Sequence, residues 1–182
     1  MRRLQLFVAT SVDGYVEGPD GDTSWRPPDA ALVAPAWPRV DTILLGWRTY
    51  GAACASRWPH GGRRMVVFSR TTQPSITTSN TVATARQPAE IVADLRLRAG
   101  GSLALVAGGA LAAACFAADL VDDVFVALHP VLLGGGTPWL AGVRSATMLT
   151  TLSERRHPSG VVQLAYRVER GGATRDSVVR PA

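Results

Sequence analysis

The residues best suited to chemistry in this 182-residue chain stand where apolar runs stop. Residues 105–113 read LVAGGALAA, so a strand-like run breaks into Gly108-Gly109 where an alanine-rich helical run begins. A helix start presents N–H groups without intrahelical partners and a partial positive charge. Glycine at such a place either makes a tight bend or lets a phosphate come against the backbone. Two other apolar runs stop in a comparable way: VDTILLG runs into Gly46-Trp47-Arg48-Thr49, and MVVFS into Ser69-Arg70. Thr49 suits a helix N-cap or a second anion seat. Arg48 and Arg70 suit solvated surface or a bidentate grip on phosphate. Jointly, the three sets favour a phosphorylated dinucleotide at the carboxyl ends of neighbouring parallel strands.

The elements that must position these residues follow from the apolar pattern. LQLFVAT (4–10), VDTILLG (40–46), MVVFS (65–69), TVATA (81–85), LALVA (103–107) and DVFVALH (123–129) read as strands. Residues 88–99 read as a helix, with Pro88 at N1, Gly100 just past the end and an Ile91, Val92, Leu95 stripe. Residues 110–118 read as a second helix, and TYGAACAS as a short one capped by Thr49. Strand–helix–strand alternation predicts a mostly parallel sheet with helices on both faces, an α/β architecture. Residues 147–156 and 161–169 flank His157-Pro158-Ser159-Gly160 and predict an antiparallel edge hairpin. Residues 13–29 read as a long loop, and 1–170 as one domain followed by a tail over 171–182.

Composition removes several function classes. Apolar residues make up 47% and charged residues 18%, and no 18-residue apolar stretch spans a bilayer. MRRLQLFVATSVDG alternates and leads into Asp13-Gly14, so it reads as a first strand rather than a signal peptide, and a cytoplasmic protein is expected. Cys54 and Cys115 lie in Ala-rich surroundings and are expected to be buried reduced thiols; no metal-ligand spacing is present. The net charge is +5, and all 19 basic residues are arginines. They are dispersed, with no basic helix, which favours a small anionic ligand or plain surface charge over nucleic acid.

The sequence resembles the dihydrofolate reductase-like superfamily. Within it, the chain is most similar to the reductase domain of the bifunctional deaminase-reductases of riboflavin biosynthesis. The likeness runs from Leu4 to Val168. It is carried by Ser11-Val12-Asp13-Gly14, Asp22-Thr23-Ser24-Trp25, Gly46-Trp47-Arg48-Thr49-Tyr50, Ser69-Arg70, Gly108-Gly109-Ala110-Leu111, Leu120-Val121-Asp122-Asp123, and residues 130–139, PVLLGGGTPW. The resemblance implies NADPH. In that pattern the backbone at Ala9 and Val16 holds the nicotinamide carboxamide. Thr49 and Gly108-Gly109-Ala110-Leu111 hold the pyrophosphate, while Ser69 and Arg70 face the 2′-phosphate with a basic residue after Gly46. Here that residue is Trp47, so either Arg48 substitutes or selectivity for the 2′-phosphate is weaker. The resemblance also raises the geometry of the Ala107-Gly108 bond, cis in many dihydrofolate reductases.

The resemblance further implies a hydride transfer to a C=N or C=O of a small heterocycle, in the first place a ribosylamino-pyrimidine. Dihydrofolate reduction and nucleotide binding without turnover are the alternatives. No zinc deaminase signature is present in the chain. Asp29 falls near the acid of dihydrofolate reductases, and it also suits a helix N-cap. Asp13 is a second candidate for proton handling or substrate anchoring, and it also suits a turn with Gly14. Trp25 and Trp139 either line the substrate pocket or pack loops. A homodimer is expected, through an apolar edge at Val161–Tyr166 that would otherwise be an exposed pairing hazard.

Overall fold

The computed structural model describes residues 1–26, 37–55, 61–70, 79–142 and 146–170. In chain order these form β1 (Leu4–Ser11), β2 (Tyr15–Glu17), a 3-10 turn (Trp37–Arg39), β3 (Val40–Gly46), α1 (Trp47–Ala55), β4 (Arg64–Phe68) and β5 (Thr81–Thr84). They continue with α2 (Pro88–Arg96), β6 (Ser102–Val106), α3 (Gly109–Ala117), β7 (Asp123–His129), β8 (Thr137–Pro138), β9 (Leu149–Arg156) and β10 (Val162–Val168). Eight strands make one sheet in the order β5-β4-β3-β6-β1-β7-β10-β9. The first six are mutually parallel, and β10 runs antiparallel to both β7 and β9. β2 and β8 form a separate antiparallel pair.

The uniformly apolar strands follow from burial on both faces. Leu44, Val66, Leu103 and Leu105 pack on one face with Val92 and Leu95 of α2 and Ala112 and Cys115 of α3. Ile43, Leu45, Met65, Val67 and Ala104 pack on the other with Trp37 of the 3-10 turn and Tyr50 of α1. Helices therefore cover both faces of the sheet. No helix among the described residues is long and apolar enough to cross a membrane.

Four local expectations need correction. Helix α2 has Pro88 in its first turn but caps at Leu97, so Gly100 lies beyond the helix end. Cys115 is buried, and desolvation pushes its thiol up to about 12, whereas Cys54 is exposed. The apolar hairpin strand is not the edge: β10 is paired on both sides, and the edge is β9, all eight residues of which are exposed. The short β2–β8 pair lies in segments read only as loop. Residues 171–182, read as a tail, lie outside the described residues.

Much of the arginine content serves the amino edge of the sheet. The Asp122 carboxylate accepts from the Leu4 amide at 2.7 Å, from Arg96 at 2.7 Å and from Arg170 at 2.6 Å. Asp123 accepts two hydrogen bonds from Arg3 at 2.7 and 2.6 Å, and Arg167 stands 3.5 Å away. Burial alone would raise the Asp123 pKa; the hydrogen bond and charge of Arg3, aided by Gln5 and Arg167, outweigh it and hold the carboxyl below its ordinary value. A depressed folded-state pKa contributes stability that is present above the unfolded value and lost as pH falls through the folded one. Thermal unfolding followed against pH should therefore show a loss of stability below about pH 4. Asp122→Ala, which strands two arginines and an amide, should cost about 2–4 kcal/mol at neutral pH in a denaturant titration.

Candidate functional site

The sheet order sets the strand ends β4, β3 and β6 next to one another. Gly46 pairs with Phe68, and Leu45 with Val106. The residues that follow these ends, Trp47-Arg48-Thr49, Ser69-Arg70 and Gly108-Gly109, thus share one edge of the sheet. Two helices start there. Helix α1 begins at Trp47, so Thr49 is its third residue and not its N-cap, as the sequence reading had it. Helix α3 begins at Gly109, with Gly108 extended at the N-cap position.

Both glycines answer to specific neighbours. Gly109 has φ +58°, a left-handed conformation that side chains disfavour. A Cβ on Gly108 would lie 2.9 and 3.0 Å from the two methyls of Val16. The close approach to the backbone is thus already made, by buried Val16 of β2. The Gly109 amide donates to the Trp139 carbonyl at 3.0 Å. By position, the amides of Ala110 and Leu111 in the first turn have no intrahelical acceptor. Every described peptide bond is trans, Ala107-Gly108 included.

The turn after β1 is bound to the 131–139 segment. Asp13 accepts from the Leu133 amide at 3.2 and 3.1 Å and from the Gly134 amide at 2.7 Å. A hydrogen bond from Ser11, together with these amides, holds its carboxyl below the ordinary value despite some desolvation. Asp13 is therefore an ionised acceptor that fixes a loop. The Trp139 amide donates to Gly14 at 3.0 Å, and the Trp139 ring packs against the core cluster beneath α3. Gly136, at φ +122°, sits so close to β2 that a Cβ would lie 2.0 Å from the Glu17 carbonyl.

The remaining candidates divide between two flanks. Half-buried Ala9 pairs with Ala127 on the β1–β7 flank, and Val16 seats against Gly108. Trp25 lies on the same flank, its ring edge-on to His129 at 5.1 Å and its indole N–H donating to the Asp22 carbonyl at 3.2 Å. Ser69, Arg70 and Trp47 occupy the β3–β4 flank. Arg48 forms an ion pair with Glu17, whose carboxylate also accepts from Thr137 at 3.2 Å. Asp29 lies outside the described residues.

Three residues escaped sequence reasoning. Glu17 lines a cavity of about 530 Å³ together with Arg48, Ala52, Thr137, Thr23 and Asp20. A lone acid in a Gly-rich stretch carries no pattern that would have flagged it. Arg26 stacks its guanidinium over Trp25 at 4.9 Å, and its Nε is buried without a hydrogen-bond partner. Desolvation lowers its pKa, against the pull of Glu17. His129, buried at the end of β7 opposite Ser11, is pushed down by burial and by the charge of Arg26, which favours its neutral form. The only sequence hint for the pair was the Trp25-Arg26 dipeptide. Among the described residues no cluster could hold a metal.

The family profile of the RibD C-terminal domain matches residues 2–162. The chain belongs to this family. Protein YyaP of Bacillus subtilis, itself uncharacterised, is 29% identical over 91% of this chain and 94% of its own length. Among solved structures, a putative riboflavin biosynthesis protein from Shewanella sp. PV-4 superposes with a TM-score of 0.78 at 23% identity, covering 92% of this chain and 99% of that one. A dihydrofolate reductase from Enterococcus faecalis, in complex with NADP(H), gives 0.68 at 14%, over 92% and 97% of the two chains. The deaminase/uracil reductase of Thermotoga maritima gives 0.67 at 15%, over 92% of this chain and 56% of its own. The chain shares the dihydrofolate reductase-like fold of these structures.

The Gly108–Val16 contact leaves no room for a side chain at residue 108. Gly108→Ala should displace β2 and cost about 1–2 kcal/mol of stability. Adding Val16→Ala should recover part of that loss, and a double-mutant cycle by thermal unfolding measures the coupling.

Proposed function

We propose that this protein is an NADPH-dependent reductase of a small anionic heterocycle, in the first place a ribosylamino-pyrimidine of riboflavin biosynthesis. The observation that carries this reading is the meeting of two helix starts, α1 and α3, at the ends of adjacent strands β3 and β6, beside the cavity at Glu17. Unpaired amides at a helix start are suited to a pyrophosphate. The family assignment and a neighbour of the same fold in complex with NADP(H) support the choice of coenzyme.

In this reading the amides of Ala110 and Leu111 and the first turn of α1, Thr49 included, take the pyrophosphate. Arg70 and Ser69 take the 2′-phosphate. The backbone at Ala9 and Val16 orients the nicotinamide end, which supplies a hydride when bound. The substrate lies on the β1–β7 flank against Trp25. Arg26 meets an anionic group on it, which would satisfy a cation left without a hydrogen bond at Nε. Of the two candidate carboxylates, Asp13 is committed to the 133–134 loop, and the proton falls to Asp29. The chain acts as a homodimer joined along β9, whose exposed Leu149 and Leu152 would be covered by a second copy.

Titration with NADPH should give tight binding that Arg70→Ala and Gly109→Val each weaken about tenfold or more; parent-like binding by both variants would sink the phosphate assignment. With a phosphorylated pyrimidine substrate, Arg26→Met should raise KM by roughly tenfold and change KM little for the dephosphorylated analogue. NADPH binding with no turnover on pyrimidines or pterins would leave a coenzyme-holding module. Sedimentation at micromolar concentration should show a dimer, and a monomer would remove the β9 interface.

A further inference from the structure

Trp47 is the most exposed aromatic ring among the described residues, at 40% of its surface. It is the first residue of α1, directly after Gly46 at the end of β3. Burying an indole is favourable, and an exposed one at the mouth of a site calls for a reason. The ring is not loose. It stacks on Tyr50 at 5.6 Å between centroids and 29° between planes. Tyr50 is 4% exposed and belongs to the core between α1 and the sheet. The indole is thus backed by a fixed aromatic, with part of its surface left open to solvent.

Its neighbours limit what it can serve. Gly46 pairs with Phe68, so the β4 end with Ser69 and exposed Arg70 is adjacent. The next residue, Arg48, directs its exposed guanidinium to Glu17, on the β2–β8 side of the cavity. A rigid aromatic face beside an exposed cation and a helix start suits a flat heteroaromatic base that carries phosphate groups.

We propose that Trp47 is the platform for the coenzyme's purine, with the adenine stacked on the indole surface that Tyr50 leaves open. This rests on the coenzyme reading above and deepens it. Because an aromatic ring holds this place and Arg48 is paired elsewhere, discrimination at the 2′-position falls to Arg70 and Ser69. The site then draws much of its affinity from the base, which NADH shares with NADPH.

The test is to measure dissociation constants of NADPH, NADH and reduced nicotinamide mononucleotide, which lacks adenosine, on the parent and on Trp47→Ala, Trp47→Phe and Trp47→Arg. Trp47→Ala should weaken NADPH and NADH by the same factor, roughly tenfold, and leave the mononucleotide unchanged. Trp47→Phe should restore most of the loss, and Trp47→Arg should raise the preference for NADPH over NADH. Parent-like binding of both dinucleotides by Trp47→Ala overturns the platform while leaving the coenzyme reading intact. An equal loss of the mononucleotide also overturns it, since the effect would then not be on the purine. Failure of the parent to bind any of the three overturns the coenzyme reading itself.

Discussion

Two main-chain hydrogen bonds at Trp139 hold the loops at the carboxyl edge of the sheet together. Its amide donates to Gly14 in the turn after β1, and its carbonyl accepts from Gly109 at the start of α3. One residue after β8 therefore ties together two segments that lie almost a hundred residues apart in the chain. Backbone groups removed from water must find partners, and here the loops satisfy each other rather than the solvent. That mutual satisfaction seats Val16 against Gly108 and brings Gly136 under Glu17. The floor between the two flanks is consequently built from backbone, with glycine where any side chain would collide.

Charge is distributed along the sheet according to the same logic. At the amino edge, Arg3, Arg96, Arg167 and Arg170 are spent on Asp122 and Asp123, two carboxylates that are themselves buried. These pairs close the end of the sheet where no ligand is expected. At the carboxyl edge the balance is looser. Arg48 has Glu17, whereas Arg26 has an aromatic ring and a buried Nε without a hydrogen bond. A cation in that state is a cost to the fold that an anion would relieve. The arginines of the amino edge, and Arg48, thus have carboxylate partners within the protein itself.

The legible part of the fold was the part written in local pattern. The apolar runs of β1, β3, β4, β6 and β7 and the stripe of α2 announce buried strands and a one-sided helix. β2 and β8, three and two residues long, are too short to show a period, and their pairing joins Glu17 to Thr137. The edge of the sheet was misread for an instructive reason. An apolar strand such as β10 looks hazardous only if it is the last one, and here polar β9 covers it. Cys54 was misjudged similarly, since an alanine-rich context does not say which side of a short helix faces water.

The sequence by itself determined the layered α/β sheet and the membership of three strand ends in one edge, because apolar periodicity and strand–helix alternation act over neighbouring residues. It also determined which residue types stand at that edge. Only the tertiary structure decided their partners: Asp13 to the 133–134 loop, Arg48 to Glu17, Trp47 to Tyr50, Arg26 to Trp25 and His129. Hydrogen bonds, ion pairs and ring stacks depend on distance in space, and apart from near neighbours on one helix or turn, spacing along the chain does not record that distance.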